Sequence, residues 1–78
     1  MAKKIFIGGL SVTTTESTLN SGFSPYGTIV LTYIDRDETG QSNGWGNVEY
    51  TTSAAGDAAV AAMNGTTFDG ATIAVRDA

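Results

Sequence analysis

Seventy-eight residues with four Lys or Arg against eight Asp or Glu give a net charge of −4 and a pI near 4.2, a poor balance for any task that rests on neutralising phosphates. The absence of cysteine and histidine excludes disulfides, thiolate metal sites and cysteine nucleophiles, along with the commonest general base and metal ligand. The length suits one domain over residues 1–78 that needs nearly all its large apolar side chains for a core, and 41% hydrophobic residues is an ordinary folded composition.

Met1-Ala2-Lys3-Lys4-Ile5-Phe6-Ile7 has an apolar run too short for a signal peptide or a membrane span. A soluble protein without a targeting signal is expected. Lys4 to Leu10 reads as the first strand, ended by Gly8-Gly9. Thr13 with Glu16 fits a capping box, and Thr15 is an equal candidate for the cap. Leu19 and Phe23, four residues apart, mark the buried face of a first helix. Pro25 and Gly27 close it.

Thr28 to Asp35 is rich in β-branched and aromatic residues and predicts a second strand. A polar turn over 37–44 leads into a third strand, Trp45 to Thr51, making a long-looped hairpin. Ser53 to Met63 is an alanine-rich helix with a narrow stripe of Gly56, Ala59, Val60 and Met63. Asn64-Gly65 ends it, Asp69-Gly70 marks a turn, and Ala71 to Arg76 is the last strand, with Ile73 and Val75 on one face. The order β-α-β-β-α-β predicts an α+β, ferredoxin-like fold: a four-stranded antiparallel sheet with two helices on one face and the other face open.

Side chains alternate across a strand. Ile5 and Ile7 therefore point to the helices and Phe6 to the open face. Gly46, Val48 and Tyr50 point inward, leaving Trp45, Asn47 and Glu49 outward. Tyr33 joins them with Leu31 and Asp35 in one register, and turns into the core if the strand slips by one residue.

Ile5-Phe6-Ile7-Gly8-Gly9-Leu10 resembles the first-strand hexapeptide of an RNA recognition motif (RRM). Asn43-Gly44-Trp45-Gly46-Asn47-Val48-Glu49-Tyr50 resembles its third-strand octapeptide, K/R-G-F/Y-G/A-F-V-x-F/Y. Lys4 to Ser11 is especially similar to heterogeneous nuclear ribonucleoprotein A/B and Musashi proteins. Leu19, Phe23, Tyr26-Gly27, Thr39-Gly40, Asn64-Gly65 and Phe68-Asp69-Gly70 continue the resemblance over residues 3–78.

The resemblance implies that aromatics on the sheet stack two or three unpaired bases. It nominates Lys4, Phe6, Tyr33, Trp45, Asn47 and Arg76 as residual RNA-binding residues. The departures count against strong binding. Asn43 stands where the motif has a cation, Asn47 stands where it has a ring, and Glu49 adds negative charge. The usually basic loop here begins Asp37-Glu38 and is one residue shorter than in the ribonucleoprotein relatives. Such losses amount to a few kcal/mol, on the scale of about 1–3 kcal/mol per stacked base.

Gly22 and Gly56 lighten the two helices, and Gly56 costs about 1 kcal/mol relative to Ala. Charged residues are only 15% of the chain, against about 25% in ordinary proteins. These features favour an engineered or designed RRM-fold scaffold, monomeric, with weak or no residual RNA binding. The alternatives are a working single-stranded RNA-binding domain that uses the open face, and a face that docks a protein partner or a second copy. No enzyme is expected, nor a cofactor or a metal, since the spacing of Asp35, Asp37 and Glu38 reads as a solvated turn.

Overall fold

The computed structural model describes all 78 residues. Strand β1 (Lys3–Gly8) leads to helix α1 (Glu16–Phe23) and a single 3₁₀ turn, Ser24–Tyr26. Strands β2 (Ile29–Arg36) and β3 (Ser42–Tyr50) follow, then helix α2 (Ser53–Met63). The chain ends in two short strands, β4 (Thr67–Phe68) and β5 (Ala71–Thr72), and the sheet strand β6 (Ala74–Asp77). The main sheet has the order β2-β3-β1-β6 and every neighbouring pair is antiparallel. This is the expected β-α-β-β-α-β arrangement. No helix is long and apolar enough to cross a membrane.

Alternation along the strands builds the core. Ile5, Ile7, Ile34, Val48, Tyr50 and Val75 are buried and meet Leu19 and Phe23 of α1 and Ala55 and Ala59 of α2. Both helices thus cover one face of the sheet. Thr15, rather than Thr13, caps α1: its hydroxyl accepts from the Thr18 N–H at 3.2 Å. With Thr15 as the cap, Glu16 is the first helical residue and not the third, so no capping box forms; Arg36 on β2 takes its carboxylate at 2.8 Å.

The glycines that lighten the helices have packing reasons. A Cβ on Gly22 would stand 2.2 Å from a ring carbon of Phe68, whose ring packs edge-on to Phe23 with centroids 5.8 Å apart. A Cβ on Gly56 would meet the Lys3 side chain at 2.8 Å. The Lys3 stem lies over that glycine while its ammonium bridges Asp57 at 2.6 Å and Asp77 at 3.1 Å.

The last strand departs from expectation. Asp69 and Gly70 have φ of 51° and 83°, the signature of a type I′ hairpin turn. They fold Ala71–Thr72 back on Thr67–Phe68 as a separate two-stranded ribbon. Ile73 breaks the run and buries itself in the core, and only Ala74–Asp77 joins the main sheet. Thr14, itself buried, donates to the Asp69 carboxylate at 2.6 Å and fastens the turn to the loop after β1.

Tyr50 is fully buried and its hydroxyl donates to the Phe23 carbonyl at 2.6 Å. Burial, with Tyr26 adding to it, pushes its pKa up to about 12. An ordinary tyrosine ionises near pH 10. Between those values the unfolded chain gives up a proton that the folded chain keeps, so stability falls as pH rises through the window. Tyr50→Phe should remove this part of the alkaline loss, on the order of 2–3 kcal/mol at its upper end. Urea denaturation of both proteins at pH 9 through 12 measures it; parallel pH profiles would contradict the assignment.

Candidate nucleic-acid interface

The face of the sheet away from the helices collects the chain's outward aromatics. Phe6 on β1 lies beside Trp45 on β3, with ring centroids 5.7 Å apart and planes inclined by 28°. Tyr33 on β2 meets the other side of Trp45 edge-on at 6.1 Å and 64°. The Arg76 guanidinium on β6 sits 4.4 Å above the centre of the Phe6 ring. The result is one row, Arg76–Phe6–Trp45–Tyr33, running across all four strands.

Local sequence makes this row. Gly8 follows Phe6 on the same face, and a Cβ there would approach the Phe6 ring to 2.9 Å. The missing side chain lets the ring lie along the strand. Gly46 lets β2 and β3 close up, since a Cβ would come within 2.1 Å of the Tyr33 carbonyl oxygen. Tyr33 itself is outside: it is 42% exposed and pairs across the ladder with Asn47. Register breaks occur between Ile29 and Leu31 and between Ile34 and Arg36. The first reverses the parity after Ile29, so that Leu31 and Tyr33 share the outward face of Glu49 and Asn47.

Asn47 sits in the middle of the face, opposite Phe6 on β1 and Tyr33 on β2. Asn43 does not project as a substitute for a cation. Its amide donates to one oxygen of Asp35 at 2.7 Å, while the Tyr33 hydroxyl donates to the other at 2.5 Å. The Tyr33 hydrogen bond first, then that of Asn43, holds the Asp35 carboxyl below the usual range, and the same bond raises the Tyr33 phenol. These bonds orient the third ring of the row. Asp37 is separate from them. Its carboxylate accepts from the Thr39 and Gln41 N–H groups and the Thr39 hydroxyl, which folds the loop on itself.

The four cations divide by face. Lys3 and Arg36 are bound in ion pairs with Asp57, Asp77 and Glu16. Lys4 and Arg76 are in no ion pair, and both lie on the strand side that carries Phe6. Lys4 stands across from Glu49 in the ladder. The net charge of the chain therefore understates how the cations are distributed: those free to meet an anion are on the aromatic face.

All six nominated residues, Lys4, Phe6, Tyr33, Trp45, Asn47 and Arg76, are brought to that face. The sequence did not reveal the seat of Arg76 on Phe6 or the Tyr33–Asp35–Asn43 hydrogen bonds. Gly8 was readable as part of a motif, but its service to the Phe6 ring depends on the rotamer of that ring.

A family model described as the RNA recognition motif matches residues 5–74. The chain belongs to the RRM family. The family is a binding one and not a catalytic one. Over 77 residues this RRM is 43% identical to glycine-rich RNA-binding protein 1 of Mycosarcoma maydis, covering 97% of the chain and 44% of the relative. Over 74 residues it is 45% identical to the chloroplastic organelle RRM domain-containing protein 1 of Zea mays, covering 94% of the chain and 19% of the relative. Among solved structures it resembles the Sxl-lethal protein/RNA complex, with a TM-score of 0.92 and 30% identity over 97% of the chain and 47% of that chain. The chain thus spans less than half the length of these proteins.

These relatives correct two expectations. The likeness to heterogeneous nuclear ribonucleoprotein A/B and Musashi proteins gives way to glycine-rich RNA-binding proteins and an organelle RRM domain-containing protein. The engineered or designed scaffold is overturned, because natural proteins share over two-fifths of the residues along nearly the whole chain. Low charge was a misleading cue. Gly22 and Gly56 answer to Phe68 and Lys3, and Asn43 has a structural partner in Asp35.

Proposed function

We propose that the chain binds single-stranded RNA across the open sheet face, with residues 1–78 acting as one RRM unit. The observation that carries this is the continuous row of Arg76, Phe6, Trp45 and Tyr33. Unpaired bases stack on such rings at about 1–3 kcal/mol each. Phe6 and Trp45 form the central platform, and Tyr33 stands in for the ring that Asn47 lacks. Lys4 meets phosphate, Arg76 leaves the Phe6 ring to do the same as a base takes its place, and Asn47 lies beneath the bases. A relative named as a glycine-rich RNA-binding protein and a similar fold in a protein/RNA complex support the same function.

The platform contains the chain's single tryptophan, so its emission reports on the site. Titration with a mixed-sequence single-stranded RNA at low salt should quench it saturably. Salt dependence should be shallow. With two free cations facing the strand and a slope of about −0.7 per neutralised phosphate in single strands, log K should fall with log salt with a slope near roughly −1.4. Binding driven by stacking has that character. An unchanged emission spectrum up to millimolar RNA would refute the proposal, and a much steeper slope would place the contact away from this face.

A further inference from the structure

We infer that Asn47 is a specificity-determining residue that selects bases carrying an exocyclic amino group, adenine, cytosine or guanine, over uracil. This rests on the RNA-binding function proposed above and adds what the site reads.

One long hydrogen bond orients the side-chain amide of Asn47. Its Nδ2 donates to the Ile5 carbonyl oxygen at 3.5 Å. That carbonyl can only accept, so the NH₂ side of the amide faces it and the Oδ1 side faces away. Oδ1 has no hydrogen-bond partner in the protein. It is also not buried, since no buried side-chain oxygen or nitrogen lacks a partner. The half-buried residue therefore presents an accessible, unpaired acceptor at the centre of the face.

The neighbours fix where a base edge would come. Phe6 and Tyr33 stand across the ladder from Asn47 on either side, and Trp45 is two residues along the same strand. Directly opposed residues have Cβ atoms about 4.5–5.5 Å apart. A base stacked on any of these rings brings its edge over Asn47. Where the motif has a fifth-position ring, this chain has one platform fewer and one hydrogen-bonding group more.

Oδ1 needs a donor. The amino groups at adenine N6, cytosine N4 and guanine N2 project beyond the base edge and offer one. Uracil offers only its N3–H, recessed between two carbonyl oxygens. With Nδ2 turned towards Ile5, Oδ1 would meet that edge with both flanking oxygens opposed to it. Asparagine reads adenine in duplexes through both amide groups, and such a bidentate contact discriminates by about 1–3 kcal/mol; with Nδ2 engaged by Ile5, the single Oδ1 contact falls at the lower end of that range.

Trp45 emission should be titrated with a uracil hexamer and with the same hexamer carrying adenine or cytosine. The amino-base oligomers should bind on the order of tenfold more tightly. Asn47→Leu keeps the branched shape and the number of heavy atoms, though not the volume, and removes both amide groups. It should bring the three oligomers together while quenching persists. Replacing adenine by unsubstituted purine should lose the same factor in the wild type and nothing in the variant. Equal affinities in the wild type, or an unchanged preference in Asn47→Leu, would overturn the assignment and leave RNA binding standing. Failure of every oligomer to bind would overturn both.

Discussion

Replacing Phe6 and Trp45 together by alanine should lower RNA affinity by roughly 30-fold to more than 10,000-fold, from two stacking contacts of about 1–3 kcal/mol each. Both rings lie outside the core, so the fold should remain. Phe6→Ala alone has a further effect, because it removes the surface on which the Arg76 guanidinium rests. The two rings touch, so the single substitutions should not add up to the double one. Anisotropy of a labelled RNA suits the measurement, since the double variant has lost its fluorophore. An affinity equal to that of the wild type, with an intact circular dichroism spectrum, would remove the sheet face as the binding site.

The largest effect on stability should come from Phe23→Ala, at about 3–5 kcal/mol. Phe23 is fully buried, and three features converge on it. Its ring is packed by Phe68, its carbonyl takes the Tyr50 hydroxyl, and it lies one helical turn from Leu19. A chain of this length has a total stability of about 4–12 kcal/mol, so the variant would lose at least about a quarter of it. Its urea midpoint should drop accordingly, while Val12→Ala, on an exposed loop, should move it little. A loss below about 1.5 kcal/mol would mean that Phe68 relaxes into the space by way of Gly22.

The sequence revealed the fold and the central platform because both rest on short-range rules. A period of two in Ile5-Phe6-Ile7 and in Gly46 to Tyr50 settles which residues face inward, and neither stretch contains a bulge. Tyr33 was open to two registers because the bulged residue, Val30, precedes it on the same strand. The bulge reverses the parity between Ile29 and Leu31, and no local residue type announces it. The final strand was misread for a related reason. Asp69-Gly70 was visible as a turn, but its I′ twist, which draws Ala71 and Thr72 away from the sheet, is a matter of backbone angles.

Charge was the least legible property. Composition counted eight acids against four bases without showing which were neutralised. Lys3 and Arg36 are held by acids from elements distant in sequence. Asn43 was taken as a lost cation because the motif has one at that position. Its bond to Asp35 depends on strands that come together only in the hairpin.

The breaks in the β2–β3 ladder also bear on how the molecule keeps to itself. β2 is an outer strand, and its sequence from Ile29 to Ile34 is largely apolar. An unpaired strand of that kind invites another chain to add on and propagate into fibrils. Interruptions on both sides leave only Leu31–Ile34 in regular register, and bulges bend and overtwist the strand that carries them. A second chain finds four residues of straight template, too few to seed continuous pairing. The irregularity that obscured Tyr33 in the sequence thereby protects the exposed border of the sheet against aggregation.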